Sequence, residues 1–261
     1  MAGYDFRSPR LFVDAALAPG ATVALTKPQA HYLSNVLRLK PGSAVLAFNG
    51  LDGEWRTSLE GTGKRVALAV QERTREQTTA SDLHYLFAPL KHERLDYMMQ
   101  KAVEMGVSRL QPVLTRHTQV NRINLERMRA NAIEAAEQCG ILTVPEIHAP
   151  LTFGRMIAAR KPDRLLVFCD EDAKSKDPVA ALGVARLGPE TLLPLTSVSA
   201  DGPQPIAVLI GPEGGFADEE RAALLDLPNI VRLSLGPRIL RADTAAVAAL
   251  ALVQTVLGDW R

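Results

Sequence analysis

Two stretches near the carboxyl end constrain the fold more than anything else in the chain. Ile206–Phe216 reads IAVLIGPEGGF, five apolar or small residues broken at once by Gly211-Pro212-Glu213-Gly214-Gly215. Leu233–Ala245, LSLGPRILRADTA, repeats that grammar with its break at Gly236-Pro237. A short apolar run closed by turn residues is a buried strand that delivers a loop to a sheet edge. Glycine lets backbone approach a ligand closely, and proline fixes one turn and removes one N–H. Asp218-Glu219-Glu220 starts a helix after the first loop, and Asp243 is placed to cap the alanine-rich helix after the second. Two such loops within about one βαβ unit can line the same sheet edge, where α/β proteins bind ligands.

The spacings exclude some ligands. Neither the GxxxxGK[ST] phosphate loop nor the GxGxxG dinucleotide pattern is present. Glu213 would repel a phosphate, so the first loop suits a neutral or cationic small molecule. Taken alone, that loop reads equally well as a plain strand-to-helix turn. Arg238 and Arg241 sit in the second loop, ahead of the helix.

The 261 residues suffice for one large or two modest domains, and 47% hydrophobic content is ordinary for a globular chain. The net charge of +1 is unevenly spread: residues 1–75 carry ten Lys/Arg against six Asp/Glu. A mildly basic first region fits a nucleic-acid contact and fits an ordinary solvated surface equally. Cys139 and Cys169 have no metal spacing, and the five histidines are scattered without an HExxH cluster, so no metal is expected. The start of the chain, with Asp5, Arg7 and Arg10, lacks the apolar core of a signal peptide. No segment reaches about 18 uninterrupted apolar residues, so no membrane contact is expected and a cytoplasmic location follows by default.

Short strand-like runs at Thr22–Leu25, Ser43–Phe48, Glu54–Glu60 and Lys64–Gln71, separated by glycine turns, predict a small β-barrel over residues 1–75. A helical piece, Pro28–Arg38, interrupts it, and His31, Arg38 and Lys40 are candidate phosphate contacts. The polar Glu72–Asp82 reads as a linker. Residues 82–261 then alternate strands and helices, which predicts an α/β domain with a mostly parallel sheet. Its strands are Leu83–Leu90, Leu110–Leu114, Leu165–Cys169, Ile206–Ile210 and Ile230–Leu235. Its helices are Lys91–Met105, Asn124–Cys139 and about Asp243–Leu257. Residues 186–205, rich in Pro, Gly, Ser and Thr, read as a flexible surface insertion.

GPEGG followed by LSLGPRILRADTA, with KHERLDYMMQKAVEMGV and EAAEQCG upstream, resembles the RsmE family of 16S ribosomal RNA methyltransferases, in the SPOUT superfamily. The resemblance covers nearly the whole chain. It implies a PUA-like, RNA-binding first domain and a trefoil knot that forms an S-adenosylmethionine pocket. It also implies a homodimer and methylation of N3 of one uridine in small-subunit 16S rRNA. Carried onto this sequence, it makes Leu209, Ile210, Gly211, Pro212, Glu213, Gly214 and Gly215 one wall of the cofactor pocket. Leu233, Leu235, Gly236, Ile239 and Leu240 make the other. The reaction is a displacement at the methyl carbon of a sulfonium, with no metal. Arg238 and Arg241 are placed to stabilise the uracil anion, and Asp243 or Glu213 to accept its proton. Lys91, Arg94, Lys101 and Arg116 join His31, Arg38 and Lys40 as candidate RNA contacts. The sequence departs from the family pattern at Ile141, where an arginine is usual, and at Arg241-Ala242-Asp243-Thr244, where RTET is usual.

Overall fold

Val66, Leu68 and Val70 are buried while Ala67 and Ala69 between them are partly open, the signature of a sheet with one face on a core. These residues lie in the longest strand of the first of two units. The computed structural model describes residues 5, 7–62, 65–120, 122–173, 177–187 and 204–260. The first unit is Met1–Thr79 with Ile133–Val144; the second is Ala80–Ala132 with Pro145–Arg261. Residues 133–144, placed by the sequence inside the second domain, thus fall in the first unit.

The first unit holds β1 (Arg10–Phe12), β2 (Thr22–Ala24), β3 (Ala44–Phe48), β4 (Glu54–Thr62) and β5 (Arg65–Arg75) in the order β1-β3-β4-β5-β2. β1 pairs parallel with β3, and the other pairs are antiparallel. The expected barrel is present as a curled five-stranded mixed sheet, a half-barrel: among the described residues β1 and β2 end the order and do not pair with each other. The core is Leu11, Val23, Val45, Leu59, Leu68 and their neighbours. Asn49 shapes the β3–β4 turn: its Oδ1 accepts from the N–H groups of Leu51 and Asp52 at 2.9 and 2.8 Å. The helical piece is split into α1 (Lys27–His31), capped by Thr26, and a π-helical turn at Tyr32–Val36.

β5 reaches Arg75, so four residues read as linker are strand. Trp55 pairs with Arg73 and Glu54 with Arg75. Buried Glu54 also binds Arg10 at 2.9 Å and accepts from Thr74 Oγ1 at 2.9 Å. A polar stretch is held in the sheet here by a buried carboxylate, which hydrophobic periodicity does not reveal. In the same unit Glu137 accepts from the Phe12 N–H at 2.8 Å, and burial raises its pKa to about 7. The folded chain then binds this proton more tightly than the unfolded one. The stabilisation is present below the ordinary carboxylate pKa and is lost as pH rises through about 7.

The second unit is built on β6 (Leu83–Phe87), β7 (Arg109–Leu114), β8 (Glu146–Ile147), β9 (Leu151–Thr152), β10 (Leu165–Cys169), β11 (Ile206–Ile210) and β12 (Ile230–Leu233). Their order is β12-β10-β11-β6-β7-β8, with β9 also on β7, and all described pairs are parallel. Both faces are covered, which is why β10 and β11 are uninterrupted apolar runs. Tyr85, Phe87, Val167, Val208 and Leu233 face one core, with α2 (His92–Glu104), α5 (Pro178–Leu187) and α7 (Ala242–Val256). Ala246 and Ala249 let α7 lie close to the sheet. Leu86, Leu166, Phe168, Ala207 and Leu209 face the other, with α4 (Phe153–Ala159) and α6 (Asp218–Leu225). Helix α3 (Leu125–Cys139) belongs to this unit only as far as Ala132, and its remainder to the first unit. The sequence reading missed α4, α5 and the two-residue strands. It also ran β6 three residues too far, since Pro89 follows Ala88 and closes the strand. Of the expected insertion, Arg186 and Leu187 close α5, and residues 188–203 lie outside the described residues.

Candidate cofactor site

Strand order explains where the pocket lies. β11, β10 and β12 are neighbours, so the loops leaving their carboxyl ends come together at one edge of the sheet. They enclose a pocket of about 270 Å³. Cys169, Asp170 and Glu171 line it after β10, and Ile210–Phe216 after β11. Leu233, Leu235, Gly236, Arg238, Ile239 and Leu240 line it after β12, and Ala242 and Ala245 close it from α7.

Eleven of the twelve residues expected to hold a cofactor therefore meet in one place. Leu209 does not: strand alternation turns it to the opposite face, where it is fully buried with Phe168 and Phe216. Ile239 lines the rim but stands 94% exposed, so in this chain it buries nothing. The residues missed were Cys169, Asp170, Glu171, Phe216, Ala242 and Ala245. The strand before Asp170 was legible, yet only strand order brings its loop beside the other two.

The turn after β11 is held from several sides. Gly215 N–H donates to Pro212 O at 2.9 Å, and His117 Nδ1–H donates to Gly215 O at 3.1 Å. Gly215 has φ +70°, a left-handed conformation that glycine adopts without strain. A Cβ on Gly211 would lie 3.0 Å from the Phe216 ring, so close packing requires that glycine. Phe216 itself is buried edge-on to Phe168, with ring centres 6.2 Å apart. Glu220 accepts from the Ala217 N–H at 3.1 Å and the Arg116 N–H at 2.8 Å, fixing the start of α6.

Three acids line the pocket, each paired with an arginine: buried Asp170 with Arg232 at 2.7 Å and Arg221 at 3.4 Å, exposed Glu171 with Arg221 at 3.6 Å, and exposed Glu213 with Arg94. Burial, and then the Asp170 charge, push the Cys169 thiol up to about 12. It stays protonated and is a poor nucleophile toward an alkylating ligand. Among the described residues, the side chains of Arg238 and Arg241 form no hydrogen bond or ion pair, and both residues are exposed. Arg241 is the residue that precedes α7, so Asp243 lies inside the first turn and is not the cap that the sequence suggested. Asp243 instead accepts from Arg94 Nε and Nη2 at 2.9 and 3.1 Å, and Arg94 Nη1 donates to Glu213. These bonds hold the Asp243 carboxyl below the usual carboxylate range.

The expected RNA contacts divide. Arg94 is turned to two carboxylates and Lys101 to Glu104 at 2.7 Å, so neither presents a free charge. Lys91 is exposed beside a second pocket of about 130 Å³, which Arg94, His117 and Pro212–Gly214 also line. Arg116 is exposed near that turn. In the first unit His31, Arg38 and Lys40 are all exposed, Arg38 with φ +56°. Among the described residues no group of three His, Cys, Asp or Glu side chains is placed to hold a metal.

Residues 77–254 match the family description "RNA methyltransferase domain", and residues 25–71 match "RNA methyltransferase PUA domain". These matches define the class: an RNA methyltransferase fold joined to a PUA domain. Ribosomal RNA small subunit methyltransferase E of Rickettsia conorii is 30% identical over 247 residues, 94% of each chain. The Bacillus subtilis protein of that name is 26% identical over 89% of each. A crystal structure of the Neisseria gonorrhoeae enzyme bound to S-adenosylmethionine superimposes with a TM-score of 0.80 at 25% identity, covering 98% of this chain and all of that one. A Legionella pneumophila methyltransferase in complex with the same cofactor gives 0.76 at 28% identity, over 95% and 98%. The chain belongs to the ribosomal RNA small subunit methyltransferase E (RsmE) family.

Proposed function

We propose that this chain transfers the methyl group of S-adenosylmethionine to N3 of a uridine in 16S rRNA of the small ribosomal subunit. The observation that carries the reading is the three-loop pocket with Asp170, Glu171 and Glu213 on its lining, Arg238 on the same lining, and Arg241 in the chain just beyond it. Its residues fit the cofactor. Apolar Ile210, Leu233 and Leu235 supply walls for a planar base, backbone groups of both loops supply its polar partners, and Glu171 and Glu213 favour a cationic ligand. When bound, S-adenosylmethionine supplies a methyl group activated by a sulfonium.

The chain's own task lies with the nucleophile, because uridine N3 is a weak acid. Arg238 and Arg241 hold fixed positive charge where the deprotonated uracil spreads its charge onto its carbonyl oxygens. Asp243 is a poor proton acceptor, since Arg94 stabilises its charged form. Arg94 binds Glu213 as well, through one oxygen only, so Glu213 Oε2 is the freer of the two acids to take the N3 proton. Lys91 and Arg116, with His31, Arg38 and Lys40 of the first unit, position the RNA through its phosphates. The homodimer and the knotted chain path belong to the same reading; the bare Ile239 on the pocket rim suits cover by a second copy.

The test is mass mapping of 16S rRNA from a strain lacking this protein, before and after purified enzyme and cofactor are added to its small subunits. One uridine gaining a base methyl group supports the proposal. A methyl group on a ribose, or none, refutes it.

A further inference from the structure

Three segments of the second unit meet at Arg94. Its Nε and Nη2 reach Asp243 as a parallel fork at 2.9 and 3.1 Å, and Nη1 donates to Glu213 Oε1. Glu213 belongs to the turn after β11, and Asp243 to the first turn of α7, where the loop after β12 ends. Both loops line the large pocket. Among the described residues no other side chain bonds to both, and Leu235–Arg241 makes no side-chain hydrogen bond at all. The two acids lie thirty positions apart in sequence, so a clasp from a third element fixes a distance that the chain between them does not. Only a planar guanidinium can hold one carboxylate by a fork and still reach a second.

We propose that Arg94 is the positioning residue of the cofactor site: it sets the separation of the two loops before the ligand arrives, so that the pocket is preorganised. The proposal extends the reading that the pocket takes S-adenosylmethionine. It assigns Arg94 to the cofactor and removes it from the RNA contacts. The Asp243 half is the more sheltered, with the carboxylate side chain 16% exposed against 53% for Glu213. Asp243 therefore anchors the clasp, and Glu213 is the arm that closes it.

The alternative role for Arg94 is simple charge balance between two acids. The two roles separate on ligand charge, because S-adenosylmethionine carries a net positive charge and its demethylated product, S-adenosylhomocysteine, carries none. Calorimetry on Arg94→Met and Arg94→Lys with both ligands is the experiment. Positioning predicts that Arg94→Met weakens both by a similar factor of about ten, within the usual range of coupling between linked sites. Arg94→Lys recovers little, because an ammonium cannot fork. Tighter binding of S-adenosylmethionine alone, or no change in either ligand, overturns the proposal.

A second measurement needs no ligand and covers variants that bind nothing. Amide hydrogen exchange on the free protein is predicted to quicken together in residues 211–216 and 235–241 of Arg94→Met, with the β10 and β11 amides unchanged. Quickening in neither loop, or across the whole sheet, overturns the clasp. Failure of the unaltered protein to bind S-adenosylmethionine would refute the proposed function, and the exchange result would still decide the clasp.

Discussion

The loop after β11 and the loop after β12 are written alike and finished differently. Both leave a buried strand through Gly-Pro, and both line one pocket. The first is locked: Phe216 fills the core beneath it, His117 donates to Gly215, and Glu220 ties the start of the next helix to Arg116. The second is bare: Pro237, Arg238 and Ile239 are exposed, and Arg94 reaches only the helix turn beyond it. A locked loop can hold a ligand in fixed geometry. A bare loop with two unpaired arginines is suited to meeting what comes from outside, a nucleic acid or a second subunit.

The sharpest way to break that contrast is to unlock the first loop. Phe216→Ala removes a buried ring packed against Phe168 and Gly211. The expected loss is about 3–5 kcal/mol of stability, the usual cost of emptying a large core site. Denaturant unfolding checks it. A loss under 1 kcal/mol would mean that the loop is not anchored through this ring.

Next in size is Arg241→Ala in the bare loop. Turnover is expected to fall by about a hundredfold, the scale of removing one electrostatic stabiliser from a transition state. Cofactor affinity should stay within a few-fold, because Arg241 does not line the pocket. Single-turnover kinetics with parallel calorimetry separates the two. Lost affinity with a surviving rate would reverse the assigned role.

Glycine exchange sharpens the comparison further. Gly215 and Gly236 both have positive φ, at +70° and +97°, so alanine at either costs about 1–2 kcal/mol of backbone strain. The surroundings differ. A Cβ on Gly215 would lie 3.0 Å from Glu171 Oε1, whereas one on Gly236 meets nothing within 4 Å. Gly215→Ala should therefore also push Glu171 aside and weaken cofactor binding a few-fold beyond Gly236→Ala. Equal affinities in the two variants would show that Glu171 contributes nothing to the ligand.

Much of this pocket was legible because two of its three loops have a local signature: an apolar run, then Gly-Pro. The parallel sheet was legible for the same reason, since uninterrupted runs such as Leu165–Cys169 and Ile206–Ile210 read as strands buried on both faces. What stayed hidden depends on long-range order. Asp170 and Glu171 enter the site only because β10 lies between β11 and β12. Leu209 leaves it because its neighbours in the strand point the other way. Arg94 read as a candidate RNA contact, and nothing local announces that two acids more than a hundred residues away bind it. The Glu72–Arg75 strand end escaped notice because buried Glu54 holds it, not apolar side chains.

The smallest expected effect tests whether the bare loop is bare by design. Ile239 is 94% exposed on the pocket rim, so Ile239→Ser removes almost no buried area from a single chain. Its stability should change by no more than about 0.5 kcal/mol, as for surface positions in general. If a second copy covers this rim, self-association should weaken, because an exposed branched side chain is then an interface anchor. Sedimentation at several concentrations reads that directly, beside thermal unfolding under dilute conditions. A variant that associates as the parent does would leave RNA as the partner of this loop. The exposed Arg238 next to it would then face phosphate, and its loss should flatten the salt dependence of RNA binding.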